Sequence, residues 1–166
     1  MWCTKGEKIG ICIDQEIIED KTNEITAIPD VIKGLNLKGI VCTWDALNTQ
    51  KATVKAVIDG KGDYVGALKG NQGSFYQDVI DYFNEDRLLI IKSGYEGGYS
   101  LSREKNHSQI ITYEYYQTEK VNWYEEKNLW DGLKSIGLVK KTIEKETVEI
   151  FKILCNFNTS AISKSR

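Results

Sequence analysis

The feature that most constrains the fold is a regular alternation of strand-like and helix-like segments over residues 8–84. Short apolar or alternating runs bounded by turn residues predict strands at 8–18, 39–44 and 63–68. Apolar residues at helical spacing predict helices at 26–37, at 49–59 and from Ser74 to about 84. This alternation favours an α/β fold with parallel strands, right-handed crossovers and helices on the faces of the sheet.

Local signals refine these elements. The segment 39–44 is an apolar run between turns, so we expect a strand that is buried on both faces. Pro29 is expected in the first turn of the first helix, where its missing N–H costs no hydrogen bond. Ser74 and Gln77 have the spacing of a capping box, which predicts that Ser74 caps the third helix. The buried stripe of that helix is predicted to be Phe75, Val79 and Phe83.

After residue 84 the sequence changes to a β-rich pattern without regular alternation. Residues 84–106 are polar and rich in glycine, with GYEGGY at 94–99, and the sequence pattern assigns no particular element to them. Strands are predicted at 109–117 and 146–154, with an aromatic, partly helical stretch between them. The sequence therefore predicts an α/β unit at 1–84 and a β-rich region at 85–166.

Composition excludes several classes of protein. Lys and Arg total 22 and Asp and Glu total 24, and the net charge of -2 disfavours a strongly basic nucleic-acid-binding arm. No apolar run approaches the ~20 residues of a membrane helix, so no membrane partner is expected. The 4 cysteines lie far apart and there is 1 histidine, which disfavours a Cys/His metal site. A reducing, cytoplasmic location is the expectation.

Two loops follow the second and third predicted strands, at the edge where ligands gather in open α/β sheets. Asp45 begins the first loop, where its carboxylate either reaches a metal or polar substrate or caps the following helix. In the second loop, Lys69, Asn71 and Gln72 either donate to a phosphate or carboxylate or form an ordinary turn. The single histidine, His107, is either a base or ligand, or a loop residue without a role in chemistry.

Several sequence blocks between residues 21 and 73, in one order, resemble the H-repeat-associated family of bacterial insertion-sequence transposases. The blocks are KTNEITAIP at 21–29, LKG at 37–39, TWDA at 43–46, QK at 50–51, DYV at 63–65 and ALKGNQG at 67–73. Farther along, WDGLKSIG at 130–137 resembles another block of the family. The resemblance therefore spans most of the chain.

This resemblance implies a ribonuclease-H-like catalytic core with an inserted β-rich region and a DDE transposase activity. Enzymes of this kind use three acidic residues to hold two Mg²⁺ ions, which cleave DNA and transfer strands. Asp45 matches the second of those acids and is the predicted catalytic residue and metal ligand. Lys69, Asn71, Gln72 and His107 are the predicted substrate or phosphate contacts. DNA is the implied partner, alongside a further copy of the chain or an intact transposase.

The chain also departs from the family's pattern. The family's first acid lies in a D-G-K block, which Asp14 does not match, and its glutamate lies beyond a strand resembling 148–154. The family's H-G-R-I-E-T-R block is HSQIITY at 107–113, so both of its arginines are replaced. One carboxylate cannot hold two Mg²⁺ ions. We therefore expect a transposase segment that is truncated at both ends and inactive alone.

Two other functions are left open by the sequence. One is a nucleic-acid-binding remnant that modulates an intact transposase. The other is a small α/β domain that binds a phosphorylated ligand through Asp45 and the loop at 69–73. The aromatic residues of the second region either stack on bases or fill the core. These residues are Tyr113, Tyr115, Tyr116, Trp123 and Trp130.

Overall fold

A computed structural model describes residues 2–3, 21–106, 109–144 and 146–156. The strand predicted at 8–18 and the residue His107 lie outside the described residues. The α-helices of the described part are α1 (Lys21–Ile32), α2 (Lys51–Asp59), α3 (Ser74–Tyr82) and α4 (Glu85–Lys92). Its strands are β1 (Trp2–Cys3), β2 (Val41–Trp44), β3 (Asp63–Leu68), β4 (Gly98–Asn106), β5 (Gln109–Thr118), β6 (Ser135–Ile143) and β7 (Glu146–Cys155).

The described strands form one sheet in the order β1-β2-β3-β7-β6-β5-β4. β2 and β3 pair in parallel, and α2 is the crossover between them, as the alternation of strand and helix predicted. The other neighbouring strands pair antiparallel. β7 lies beside β3, with Ile153 opposite Ala67, so strands of the regions 1–84 and 85–166 share one sheet. The predicted α/β class is therefore confirmed as a mixed sheet with helices.

The described residues cover one face of β2, and the prediction that this strand is buried on both faces was wrong. Cys42 is fully buried, whereas Val41 is 37% exposed and Thr43 is exposed as well. Successive side chains of a strand point to opposite faces. Among the described residues, only the face that carries Cys42 meets the core cluster. Val41 is apolar although it faces outward, so the apolar run alone did not show that one face of β2 is exposed.

α1 starts and ends earlier than the periodicity predicted. It spans Lys21–Ile32, so Pro29 lies inside the helix and not in its first turn. The apolar spacing continues to Leu35, but that residue follows a turn at Gly34, whose φ is +86°. Leu35 packs against the core from outside the helix. Helical spacing therefore extended the prediction beyond the true end of α1.

The capping box predicted at the start of α3 was also wrong. Gly73, with φ of +54°, precedes the helix, and Ser74 is already its first residue. The Gln77 side chain donates to Asp81 Oδ1 at 2.9 Å instead of returning to the helix start. The buried stripe is confirmed, because the exposed fractions of its residues are 1%, 0% and 6% for Phe75, Val79 and Phe83.

Residues 84–106 contain a helix and a strand that the sequence pattern did not predict. α4 has well-defined ends: the Asn84 side chain accepts a hydrogen bond from the Arg87 backbone N–H at 2.9 Å. Acidic residues occupy the first turn and Lys92 the last, which suits the helix dipole. The sequence pattern also missed β6. In the aromatic stretch before it, which was predicted to be partly helical, the helical part is a short 3₁₀ segment, Glu125–Leu129.

A cluster of aromatic side chains packs the loop before β6 against α3. Phe75 stacks on Tyr124, with ring centroids 4.2 Å apart, and lies 5.3 Å from the Trp130 ring. The Tyr64 hydroxyl donates to the Asp131 carbonyl at 3.1 Å and ties the same loop to β3. These contacts bring the two sequence regions into one core. Within the described part of the chain, no helix has the length and apolar character needed to cross a membrane.

Candidate functional site

Two loops meet at one edge of the sheet, where the parallel strands β2 and β3 end. Trp44 at the end of β2 is paired with Gly66 of β3. The segment 45–50, called the Asp45 loop below, follows β2 and leads to α2. The segment 69–73 follows β3 and leads to α3. The sequence placed both loops at the carboxyl ends of neighbouring strands, and the structure confirms that placement.

Asp45 is exposed and occupies the first position after β2. Its Oδ1 accepts hydrogen bonds from the backbone N–H and the side-chain amide of Asn48, both at 3.2 Å. These bonds close a local turn, while α2 begins later, with Gln50 at its N-cap position. Asp45 therefore does not cap α2. Among the described residues none donates to its Oδ2, so this oxygen is available to a ligand.

Thr49 holds the Asp45 loop against β3. Its side chain is fully buried, and its Oγ1 lies 3.0 Å from the Asp45 carbonyl oxygen and 2.6 Å from the Ala67 carbonyl oxygen. The hydroxyl thereby links the loop to β3. Glycine at position 66, next to Ala67, leaves room for this contact, because a Cβ there would lie 2.9 Å from Trp44 Nε1 and 3.0 Å from Thr49 Oγ1.

The second loop supports the first through side-chain amides. Asn71 Nδ2 donates to the Ala46 carbonyl at 2.8 Å. Gln72 Nε2 donates to the carbonyls of Ala46 at 2.9 Å and Thr49 at 3.0 Å. Gln72 Oε1 accepts from the backbone N–H of Lys69 at 2.9 Å, and the side chain of Lys69 is exposed. The role of these three residues in phosphate binding stays a prediction.

A cleft of about 720 Å³ lies beside the two loops. Its lining includes Thr26, Gln50, Lys51, Asn71, Ser74 and Trp130. The first residues of α2 and α3, Lys51 and Ser74, both lie at this cleft. Helix N-termini and an ammonium group favour a negatively charged ligand. Lys51 Nζ lies 3.7 Å from a Glu126 carboxylate oxygen, an exposed pair that water screens.

The donor chemistry at Asp45 suits a hard cation such as Mg²⁺, which binds oxygen ligands. The described part of the chain, however, contains no group of three or more His, Cys, Asp or Glu side chains that would hold a metal ion. Asp45 therefore fits as one ligand, and the described residues do not complete a two-ion site. His107 lies outside the described residues and cannot be assigned to this edge.

The sequence analysis missed a buried carboxylate. Glu96 is 7% exposed, and its Oε1 accepts from the hydroxyls of Tyr82 at 2.7 Å and Thr118 at 3.1 Å. Its Oε2 is bound by Arg87 at 2.9 Å and Lys120 at 2.8 Å. Burial alone would raise the pKa of the Glu96 carboxyl, but the hydrogen bonds and the two cations lower it to about 2. The cluster ties α3 and α4 to the end of β5.

The aromatic residues of the second region divide between core and surface. Tyr116 and Trp130 are buried, at 6% and 4% exposure. Trp123 is partly buried and stacks on Tyr82, with centroids 5.1 Å apart. Tyr113 and Tyr115 lie on one face of β5 with their rings stacked at 6.3 Å, and Tyr115 is 39% exposed. Most of this set therefore serves packing, and base stacking stays a prediction for the exposed ring.

Comparison with known proteins places the chain among bacterial relatives. It is 34% identical over 136 residues to a Xanthobacter autotrophicus protein named "Uncharacterized protein in dhlA 3'region", covering 81% of the chain and 44% of that protein. It is 36% identical over 103 residues to the Escherichia coli O157:H7 protein "Putative transposase YncI", covering 62% of the chain and 25% of that protein. It is 33% identical over 100 residues to the Escherichia coli K12 protein "H repeat-associated putative transposase YhhI", covering 60% of the chain and 25% of that protein.

The chain thus spans between a quarter and less than half of the length of these relatives. No protein-family model matches the chain. No solved structure matches it either.

Proposed function

We propose, from the similarity of this chain to proteins named as H repeat-associated or putative transposases, that it belongs to their family and is a catalytic-core segment of an insertion-sequence transposase. Its substrate class is DNA, and the reaction of the intact enzyme is DDE-type cleavage and strand transfer at phosphodiester bonds. The core is proposed to be ribonuclease-H-like, with the β-rich region as an insertion. Bacterial DNA is cytoplasmic, so the proposed location is the cytoplasm.

The observation that carries the proposal is the placement of Asp45. This carboxylate lies directly after a strand of a parallel pair, at the sheet edge where α/β proteins collect ligands. One of its oxygens is held by Asn48, and the other has no donor among the described residues. An exposed carboxylate that is oriented by its neighbours and keeps one oxygen open is suited to bind Mg²⁺. Asp45 is thus the proposed metal ligand.

The 166-residue chain is proposed to be inactive alone. Two-metal phosphoryl transfer needs one ion at the attacking oxygen and one at the leaving oxygen. Each Mg²⁺ ion is held in octahedral geometry by carboxylates, water and substrate oxygens. Asp45 contributes one carboxylate to such a site, and the partner carboxylates are proposed to come from the intact enzyme. A further copy or an intact transposase is the proposed protein partner.

A plasmid-nicking experiment tests this function. Purified chain is incubated with supercoiled plasmid and Mg²⁺ or Mn²⁺, and nicked circles are measured on a gel for the wild type, Asp45→Asn and Asp30→Asn. Asp30 is an exposed acid on α1 and serves as the matched control. We expect no metal-dependent nicking by any of the three proteins. Nicking by the wild type and Asp30→Asn but not by Asp45→Asn would show a complete active site and overturn the proposed inactivity.

Metal binding is measured separately on the same proteins. Mn²⁺ broadens NMR signals of nearby amides, so titration of ¹⁵N-labelled chain locates bound ion even when binding is weak. We expect selective broadening of amides 44–48 in the wild type and in Asp30→Asn, and its loss in Asp45→Asn. Equal broadening in Asp45→Asn and the wild type would refute the assignment of Asp45 as a metal ligand.

A further inference from the structure

We infer that Gln72 and Asn71 are positioning residues that hold the Asp45 loop in the shape in which Asp45 binds its metal ion. This inference rests on the proposed role of Asp45 as a ligand. It concerns residues for which the sequence suggested contact with substrate. The structure instead directs their amide groups to backbone carbonyls of the loop that carries the carboxylate.

The Gln72 amide group uses both of its ends within the protein. Its nitrogen donates to the carbonyls of Ala46 at 2.9 Å and Thr49 at 3.0 Å. Its oxygen accepts from the Lys69 backbone N–H at 2.9 Å. A single side chain therefore links the loop after β2 to the loop after β3. A glutamate of the same length would lack the donors that two carbonyls require.

Asn71 reinforces the same point of the loop. Its Nδ2 donates to the Ala46 carbonyl at 2.8 Å, so this carbonyl accepts from two side chains of the second loop. Ala46 is the residue directly after Asp45. Its carbonyl belongs to the peptide that joins Ala46 to Leu47, so the two amides restrain the loop one peptide beyond the Asp45 carbonyl, which Thr49 Oγ1 holds.

Asp45 depends on these bonds because it has little support of its own. It is exposed, and the residues 46–48 that follow it form bends and not a helix or strand. Its backbone is held at its own carbonyl by Thr49 Oγ1, and the amides of the second loop hold the next peptide. The affinity of a metal ligand depends on how well outer groups orient it. Loss of the amides therefore weakens metal binding in addition to stability.

The test compares Mn²⁺ binding by the ¹⁵N-labelled 166-residue chain in four forms: wild type, Gln72→Met, Asn71→Ala and Gln77→Met. Methionine keeps the length of glutamine and removes its hydrogen bonds. Gln77 is the matched control, because its amide donates only to Asp81 on its own helix among the described residues. Thermal denaturation first identifies a temperature at which every variant is folded, and the Mn²⁺ titration is run there. The readout is the Mn²⁺ concentration that half-broadens amides 44–48.

We expect this concentration to rise about tenfold in Gln72→Met, the lower end of what loss of an outer-shell partner costs in metal affinity. A smaller rise is expected in Asn71→Ala, which removes one of the two donors to Ala46, and none in Gln77→Met. A merely structural role predicts a lower melting temperature for Gln72→Met with unchanged Mn²⁺ binding, and that result would overturn the inference. If Gln72→Met does not fold, unchanged binding in Asn71→Ala overturns it.

The failure of the proposed function gives a different pattern. In that case Mn²⁺ broadens the NMR signals of amides 44–48 equally in the wild type and in Asp45→Asn, whatever residue stands at position 72. The broadening of amides 44–48 can also be lost in Asp45→Asn while Mn²⁺ binding is unchanged in the Gln72 and Asn71 variants. That result refutes the positioning role alone and leaves the proposed function intact.

Discussion

The Glu96→Gln substitution is expected to destabilise the protein by an amount that depends steeply on pH. Glu96 is buried and bound by four side chains, two of them cationic. Glutamine has nearly the same shape but carries no charge, and its NH₂ group cannot accept from Arg87 or Lys120. The substitution therefore leaves two cations without their buried partner.

The magnitude follows from the pKa of the Glu96 carboxyl. Lowering that pKa from 4.5 to about 2 means that folding favours the ionised form by about 3 kcal/mol. Because the folded-state pKa lies below the unfolded value, this stabilisation is complete above about pH 5. It is lost progressively as the pH falls through about 2, and it vanishes only below that pH, where Glu96 is protonated in both states.

Urea denaturation followed by tryptophan fluorescence measures the effect at about pH 7, 4 and 2.5. We expect Glu96→Gln to lower the free energy of unfolding by about 3 kcal/mol at pH 7, and by much less near pH 2.5. Glu104→Gln, at an exposed position of β4, is the matched control and should change stability by less than about 0.5 kcal/mol. A loss of equal size at all three pH values would refute the electrostatic explanation and indicate a packing defect.

Three further substitutions, one of them a control, test the geometry of the fold. Thr49→Val keeps the side-chain shape but removes the buried hydroxyl that bonds two backbone carbonyls, so urea denaturation should show a loss of about 1–3 kcal/mol. In urea denaturation, Gly97→Ala should cost at least about 2 kcal/mol, because φ is +68° and the new Cβ would overlap the Gln117 carbonyl oxygen. In the same urea denaturation, Gly70→Ala should be nearly neutral, because nothing lies within 4 Å of its added Cβ. Equal losses in the two glycine variants would contradict the structure.

The β2-α2-β3 unit was predictable because its signals are local and agree with one another. The strand predicted at 63–68 is β3 in full, and the helix predicted at 49–59 ends at the expected residue before Gly60. Turn glycines, apolar spacing and strand length each act over a few residues. Asp45 was also found by this route, since its position depends only on where β2 ends.

The β-rich region was harder to predict because its structure depends on distant pairings. β7 returns to β3 across more than eighty residues, and no local pattern identifies that partner. The Glu96 cluster gathers side chains from α3, α4 and the end of β5. In the sequence, Glu96 is only an acid between a tyrosine and glycines, in a segment to which the pattern assigned no particular element.

The loop at 69–73 shows why residue chemistry alone did not decide its role. The amides of Asn71 and Gln72 are equally able to donate to a phosphate and to a backbone carbonyl. In the folded chain their carbonyl acceptors lie at 2.8–3.0 Å. A phosphate would have to displace these carbonyls and leave them without donors, which costs more than displacing water. Lys69 is different, since its side chain is exposed and no ion pair to it is formed by the described residues. Of these three residues, Lys69 is therefore the one for which the predicted phosphate contact is best supported, while the amides beside it hold the Asp45 loop.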